Sequence, residues 1–120
     1  MTRSWTVANA RTAVSSETAR GRACLLLRIR PEAIEDYVAE HQRVWPEMLA
    51  ALSAAGWRNY SLFIREADGL VVGYFEADDA EAAVAAMAGS QINARWQESI
   101  GRYFVPGTGP EFLPIYFHLA

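Results

Sequence analysis

The stretch RNYSLFIREADGLVVGYFEA, residues 58–77, contains two β-type runs joined by a short polar turn. The first run covers 58–66 and the second covers 69–77, and both are rich in aromatic and branched apolar residues. The joining residues Ala-Asp-Gly have the composition of a tight hairpin turn. The stretch therefore predicts two adjacent antiparallel strands, and the segments on either side decide which fold contains them.

A strand and a broken helix precede the hairpin. Residues 22–30, RACLLLRIR, alternate in the manner of a strand. A proline suited to the first helical position follows, and a helix is predicted from about 31 to 44. The Trp-Pro step at 45–46 disfavours helical angles at the tryptophan, but the proline can begin a second helical piece over 46–56. The first connection is therefore predicted to be a kinked helix.

Two helical segments and a closing strand follow the hairpin. An alanine-rich helix is predicted at 80–89, and a second helical piece is predicted at 91–104, where PGTGP ends it. The run EFLPIYFHLA, 111–120, predicts the closing strand, in which Pro114 suits an edge position. The order β-α-β-β-α-β indicates an α+β, ferredoxin-like domain with an antiparallel sheet and helices on one face.

Apolar residues occur on both faces of the predicted strands at 58–66 and 69–77. An antiparallel sheet that is open to water should be polar on one face. A symmetric dimer that packs sheet on sheet would cover the second apolar face, as would a pocket between the sheet and a flap. We expect a homodimer of the dimeric α/β-barrel type.

The composition restricts the classes of partner. The chain has 120 residues, a net charge of −3 and eleven basic residues, all arginine and scattered, which argues against nucleic-acid binding. No apolar run approaches the roughly 20 residues that span a bilayer, and one cysteine cannot form an internal disulfide. Residues 1–20 have no sustained period and are predicted to be a flexible extension. Residues 21–120 are predicted to be one domain of a cytoplasmic protein.

The string DYVAEHQRVWPEM, 36–48, places Tyr37, His41 and Trp45 at steps of four. Side chains four residues apart on a helix lie on one face. Such an aromatic stripe is more often core than site, and a histidine near a helix end is more often solvated. A core stripe would, however, carry Leu or Ile at the middle position. Glu40 and Glu47 are close enough in sequence to orient the imidazole, so we treat His41 as a candidate catalytic residue.

Motifs for other chemistries are missing from the sequence. There is no second histidine at helix spacing, no cysteine pair, no HExxH, no GxGxxG and no Walker loop. We therefore expect no metal and no cofactor. A histidine among aromatic rings and tyrosine hydroxyls suits proton transfer on a small neutral polar molecule, and aromatic rings also bind sugars. The second histidine, His118, lies among apolar strand residues and is predicted to be buried in the sheet.

Five strings together resemble the L-rhamnose mutarotase family: LLLRIRPE, YVAEHQRVWPEM, GWRNYSLFI, ARWQ and IYFHL. The resemblance covers 22–119, and Y-x3-H-x3-WPE followed by G-x2-NY is its specific part. It implies a ferredoxin-like fold, a dimer, no metal, and an isomerase of carbohydrate metabolism that interconverts the α and β anomers of L-rhamnose.

The resemblance also assigns site residues. The family's proton-donating histidine falls on His41, and its sugar-contacting tyrosines fall on Tyr37 and Tyr60. A tryptophan pair of the family falls on Trp96 and Gln97. The glutamine departs from the Arg-Trp-Trp pattern and replaces a stacking ring by an amide, which leaves the sugar preference open.

Three alternatives remain open from the sequence. A mutarotase for another 6-deoxy sugar such as L-fucose would use the same residues. Dimeric ferredoxin-like proteins also include monooxygenases and haem-binding enzymes, in which a helix histidine can bind haem. The last alternative is a binding module without catalysis, for which only the fold would link the chain to chemistry.

Overall fold

In a computed structural model that describes residues 14–120, the predicted hairpin forms half of a four-stranded antiparallel sheet. The sheet has the order β2-β3-β1-β4. Its strands are β1 (Arg22–Arg28), β2 (Arg58–Arg65), β3 (Leu70–Glu76) and β4 (Glu111–Leu113). This topology confirms the predicted ferredoxin-like α+β fold, with β2 and β4 at the two edges.

Residues 14–120 contain five α-helices: α1 (Ser16–Arg20), α2 (Ile34–His41), α3 (Pro46–Ala54), α4 (Ala80–Ala88) and α5 (Gln91–Ile100). Short 3-10 segments precede α2 at Pro31–Ala33 and follow α5 at Gly101–Tyr103. Side-chain caps begin α4 and α5, because Asp79 accepts from the Ala82 amide at 3.1 Å and Ser90 from the Asn93 amide at 3.2 Å. No helix in the described part of the chain is long and apolar enough to cross a membrane.

The kink between α2 and α3 lies at the predicted Trp-Pro step. Trp45 has φ −56° and ψ 135°, the extended conformation that a following proline favours. Helix α2 ends at His41, three residues earlier than the predicted end at 44. His41 therefore lies in the last helical turn, where the helix meets the break.

The two predicted boundaries that differ most from the structure lie near the ends of the chain. The closing strand predicted at 111–120 contains only Glu111–Leu113, because Pro114 has no N–H to donate to a ladder. Residues 16–20, within the predicted extension 1–20, form helix α1, which Ser15 caps. Residues 1–13 lie outside the described residues.

One face of the sheet packs against the helices, and on the other face large apolar side chains stay exposed within the described residues 14–120. Ile29, Val71 and Phe75 are almost fully buried on the helix side. On the other side, Phe63 is 63% exposed and Leu113 is 40% exposed. We call this second side the open face; it also carries the partly buried residues Cys24, Leu26, Val72 and Tyr74.

Candidate active site

Three aromatic rings and one imidazole meet where α2, α3 and α5 come together. The His41 ring lies 4.4 Å from the Tyr37 ring and 5.4 Å from the Trp96 ring, centroid to centroid. Trp96 also contacts Trp45 edge-on at 5.1 Å. Tyr37 and Trp96 are each only 4% exposed, whereas His41 is partly exposed. The imidazole is therefore enclosed by aromatic rings on two sides and reaches solvent on another.

A backbone carbonyl orients the imidazole. Nδ1 of His41 lies 3.0 Å from the carbonyl oxygen of Tyr37, and because a carbonyl can only accept, Nδ1 donates. In the neutral ring the lone pair is then on Nε2, so Nε2 can take up a proton. The prediction that Glu40 or Glu47 orients the ring is wrong. Neither carboxylate hydrogen-bonds to His41, and Glu40 lies 3.9 Å from Arg102.

A β-bulge lies directly before Tyr60 in β2. Arg58 pairs with Glu76 and Ser61 pairs with Tyr74, so β2 has one more residue than β3 between these pairs. Asn59, in the extra segment, has φ 49°, a left-handed conformation that asparagine tolerates better than most residues. Bulges often redirect a side chain next to a functional site. Here the bulge places Arg58 on the open face opposite Glu76, while Tyr60 shares the helix side with Leu62 and Ile64 by ordinary alternation.

Two aromatic residues, Trp57 and Phe75, pack against Tyr60. They were not identified as part of the site from the sequence alone. Trp57 stacks on Phe75 with centroids 3.7 Å apart and planes 14° apart. The Tyr60 ring lies 5.0 Å from Trp57 and 6.0 Å from Phe75, both edge-on. The Trp57 indole donates to the Ala83 carbonyl at 2.9 Å, which joins this cluster to α4. The signal in the sequence was the tryptophan within the GWRNY string, two residues before the bulge.

The hydroxyls of Tyr37 and Tyr60 are uncharged at neutral pH. Burial raises the pKa of Tyr37 well above its usual range, and the nearby Tyr60 adds to the shift. Burial raises the pKa of Tyr60 to about 12, although 36% of that residue remains exposed. Neither hydroxyl forms a hydrogen bond to another described residue that would lower its pKa. Both can therefore exchange hydrogen bonds with a ligand, but neither is a base.

A surface cavity of about 470 Å³ adjoins the aromatic cluster. Its lining includes Trp45, whose ring contacts Trp96, together with Pro46, Glu47, Ile92 and Arg95. The cavity is shallow and open to solvent, and none of the five predicted site residues lines it. Among residues 14–120, no group of three or more His, Cys, Asp or Glu side chains is arranged to hold a metal ion.

The structure brings three of the five predicted site residues into one ring cluster. His41 contacts the rings of Tyr37 and Trp96, whereas the Tyr60 ring packs against Trp57 and Phe75. Gln97 differs, because its side chain is exposed and its amide donates to the Asn93 side chain at 3.2 Å. The other histidine, His118, was predicted to be buried, but it is exposed in the segment after β4.

Fold and site together define a ferredoxin-like α+β protein with an acid–base centre formed by one histidine among aromatic rings. A family model described as L-rhamnose mutarotase matches residues 22–114. The chain belongs to the L-rhamnose mutarotase family, which consists of isomerases that interconvert sugar anomers. The resemblance inferred from the sequence strings is thereby confirmed.

Individual relatives agree with this assignment. The L-rhamnose mutarotase of Bacillus subtilis is 31% identical over 94 residues, which are 78% of this chain and 88% of that protein. The crystal structure of an L-rhamnose mutarotase from Formosa agariphila superposes with a TM-score of 0.66 at 19% identity, covering 82% of this chain and 96% of that one. A monooxygenase of Streptomyces coelicolor superposes with a TM-score of 0.60 at 12% identity, covering 86% and 92%. At identities this low, the two superpositions show the shared fold alone.

Proposed function

We propose that the protein interconverts the α and β anomers of L-rhamnose and that His41 transfers the protons. The observation that carries this proposal is the orientation of the imidazole. Nδ1 donates to the Tyr37 carbonyl at 3.0 Å, which leaves Nε2 of a partly exposed ring available to a bound sugar. Family membership supplies the substrate class, since the relative from Bacillus subtilis is an L-rhamnose mutarotase.

The reaction requires two proton movements. A proton is removed from the anomeric hydroxyl and another is delivered to the ring oxygen, so that the ring opens to an aldehyde. Rotation of the aldehyde and reclosure on its other face give the second anomer. An imidazole can both take up and release a proton, and in His41 the nitrogen left free for this is Nε2. His41 can thus act as base and as acid in turn.

The remaining site residues bind and orient the sugar. Tyr37 and Tyr60 offer neutral hydroxyls, and Trp96 offers an apolar ring edge next to the imidazole. Gln97, next to Trp96 on α5, contributes an amide where the family pattern has a second tryptophan. Its exposed position suits contact with the solvent side of the sugar and influences which 6-deoxy sugar is preferred.

The proposal is tested by saturation-difference NMR on the anomeric protons of L-rhamnose, with L-fucose in a parallel sample. We expect transfer of saturation between the anomers when the protein is added, with L-rhamnose as the better substrate. If L-fucose exchanges faster than L-rhamnose, the preferred substrate is L-fucose and the proposed reaction is unchanged. Absence of accelerated exchange with both sugars would contradict the proposed function.

Replacement of Tyr60 by phenylalanine tests a binding role. Loss of one hydrogen bond from a neutral hydroxyl costs roughly 0.5–1.5 kcal/mol, so KM for L-rhamnose should rise about 2- to 10-fold with little change in kcat. Anomer exchange measured over a range of sugar concentrations separates the two constants. Ser53→Ala removes a hydroxyl from the exposed surface of α3 and should change neither constant. A fall in kcat alone would instead assign Tyr60 to the chemical step.

We also propose that the protein is a cytoplasmic homodimer in which the open faces of two subunits pack together. Large apolar side chains such as Phe63 and Leu113 lie on this face at 63% and 40% exposure, and a symmetric dimer would bury both copies at once. A lone cysteine in the sequence suits a reducing compartment.

Phe63→Asp should convert the dimer to a monomer. The carboxylate would enter an apolar interface without a partner, and we expect the dissociation constant to rise at least about 100-fold. Light scattering coupled to size-exclusion chromatography reports the mass directly. The matched control is Leu49→Asp on α3, where a leucine 51% exposed lies away from the sheet. If Phe63→Asp remains a dimer, the interface does not lie on the open face.

A further inference from the structure

The ring of Tyr37 contacts two aromatic rings besides the imidazole. The His41 ring lies 4.4 Å from it, centroid to centroid, and the rings of Tyr103 and Phe104 lie 6.5 Å and 6.1 Å from it, both edge-on. Edge-on contacts at such distances are favourable for aromatic pairs. Tyr103 and Phe104 follow α5, and neither belongs to the five predicted site residues.

The segment that carries these two rings is fixed to the end of β1 by its backbone. The Arg30 amide donates to the Tyr103 carbonyl at 2.8 Å, and the Val105 amide donates to the Arg28 carbonyl at 2.9 Å. Ile29, between the two arginines, is fully buried. The backbone at Tyr103 is therefore tied to a central strand of the sheet, and it cannot shift without breaking these hydrogen bonds.

The Tyr103 side chain is fixed at its far end as well. Tyr103 is 6% exposed, and its hydroxyl accepts a hydrogen bond from the Arg102 guanidinium at 2.6 Å. The same guanidinium lies 4.5 Å from the centre of the Tyr103 ring, where the ring attracts a cation, and it also donates to the Ser99 carbonyl. Phe104 is only partly buried and has no polar side-chain atom. Of the two rings, Tyr103 is therefore the firmer support for Tyr37.

The ion pair of Arg102 with Glu40 is a second, weaker link between this segment and α2. The two charged groups lie 3.9 Å apart, and their side chains are 58% and 35% exposed. A long and solvated pair of this kind contributes little. The contact between the Tyr103 and Tyr37 rings is therefore the main connection to the helix that carries His41.

We propose that Tyr103 is a positioning residue, which fixes the Tyr37 ring and, through it, the His41 imidazole for proton transfer. This inference rests on the proposed function of His41. The hydrogen bond from Nδ1 to the Tyr37 carbonyl leaves the imidazole free to tilt about that bond. The rings of Tyr37 and Trp96 limit the tilt, because they lie 4.4 Å and 5.4 Å from the imidazole. The Tyr37 ring limits it only while it stays in place, and Tyr103 supplies the fixed edge against which it packs.

The NMR signals of the His41 ring protons report the position of the imidazole without any activity. The chain has two histidines, so the spectrum contains two sets of carbon-bound imidazole signals, and His118→Gln assigns them. The ring current of Tyr37 displaces the signals of His41, because the two rings are 4.4 Å apart. Tyr103→Leu should move these signals, since the Tyr37 ring loses its neighbour. Tyr103→Phe keeps the ring and should leave them near their wild-type positions.

The same two variants should differ in the rate of anomer exchange. Tyr103→Leu should lower kcat for L-rhamnose about 10- to 100-fold, the scale on which the displacement of a catalytic group by up to about 1 Å reduces rates. Tyr103→Phe should keep most of the wild-type kcat. If Tyr103→Leu does not fold, Tyr103→Met takes its place, because methionine is a longer apolar side chain without a ring.

Leu25→Ala is the control for a general loosening of the core. Leu25 is 6% exposed and belongs to a second cluster of buried residues that contains neither Tyr37 nor Tyr103. This variant should lower the melting temperature but leave the His41 signals in place. Signals in Leu25→Ala that move as far as those in Tyr103→Leu would overturn the proposal.

Two further results would also overturn it. One is a set of His41 signals that does not change in Tyr103→Leu, and the other is an equal loss of kcat in Tyr103→Leu and Tyr103→Phe. If the wild-type protein does not accelerate anomer exchange, the proposed function fails, and the His41 signals alone decide whether Tyr103 positions the imidazole.

Discussion

Replacement of His41 by alanine is expected to slow the anomer exchange of L-rhamnose by about 100- to 10,000-fold, the usual contribution of a positioned general acid–base group. Among residues 14–120, the imidazole is in ring contact with Trp96, which does not ionise, and with the phenol of Tyr37. Both tyrosine hydroxyls near the site have raised pKa values, so neither replaces the missing base at neutral pH. The measurement is saturation-difference NMR at equal protein concentration.

His41→Asn separates the loss of chemistry from the loss of packing. The asparagine amide keeps a donor near the Tyr37 carbonyl but cannot exchange a proton near neutral pH. We expect this variant to be as inactive as His41→Ala, with a melting temperature near that of the wild type. Wild-type exchange rates in either variant would show that His41 does not transfer the protons. The catalytic group would then be sought in the cavity beside Trp45.

The second large effect concerns stability and arises in the hairpin turn. Gly69 has φ +74°, and a Cβ atom placed on it would lie 2.1 Å from the carbonyl oxygen of Ile29. The Gly69 carbonyl in turn accepts from the Ile29 amide at 2.9 Å, so the backbones cannot separate without breaking a hydrogen bond. Ile29 is itself fully buried, which prevents it from moving away.

Gly69→Ala should therefore lower the free energy of unfolding by about 3 kcal/mol, through left-handed strain and the clash with a buried backbone. The melting temperature should fall by roughly 10 °C. Denaturant unfolding followed by circular dichroism measures the change. Gly109→Ala is the matched control, because nothing lies within 4 Å of its added Cβ, and it should stay within about 0.5 kcal/mol of the wild type. Equal stability of both variants would show that the turn rearranges freely.

The sequence predicted the sheet well because alternation and turn composition are local signals. The hairpin at 58–77 and the strand at 22–30 appear in the structure with ends that differ by at most two residues. The closing segment 111–120 is the informative failure. Its apolar alternation predicts a strand throughout, but pairing with β1 ends at Leu113, because Pro114 has no N–H to donate to the ladder. An apolar pattern shows that a segment suits a sheet without showing how far the pairing extends.

The side chains of the candidate site could be predicted from the sequence, but the contacts that hold them in place could not. Tyr37 and His41 follow from helical spacing, and their rings meet at 4.4 Å. The group that orients His41 is a backbone carbonyl, and every residue has one, so no residue type marks it in the sequence. The stacking of Trp57 on Phe75 joins residues from two strand segments and depends on the register of the sheet. Such contacts become visible only when the strands are aligned.

The bulge at Asn59 divides β2 into two parts that can change independently. A one-residue insertion in a strand shifts the phase of all side chains on one side of it, while the residues on the other side keep theirs. Deletion of Asn59 would leave Arg58 and 61–65 paired with β3 as before and would change only the chain beside Tyr60. Substrate recognition near the start of this strand can therefore drift during evolution while the surface that would join two subunits stays constant.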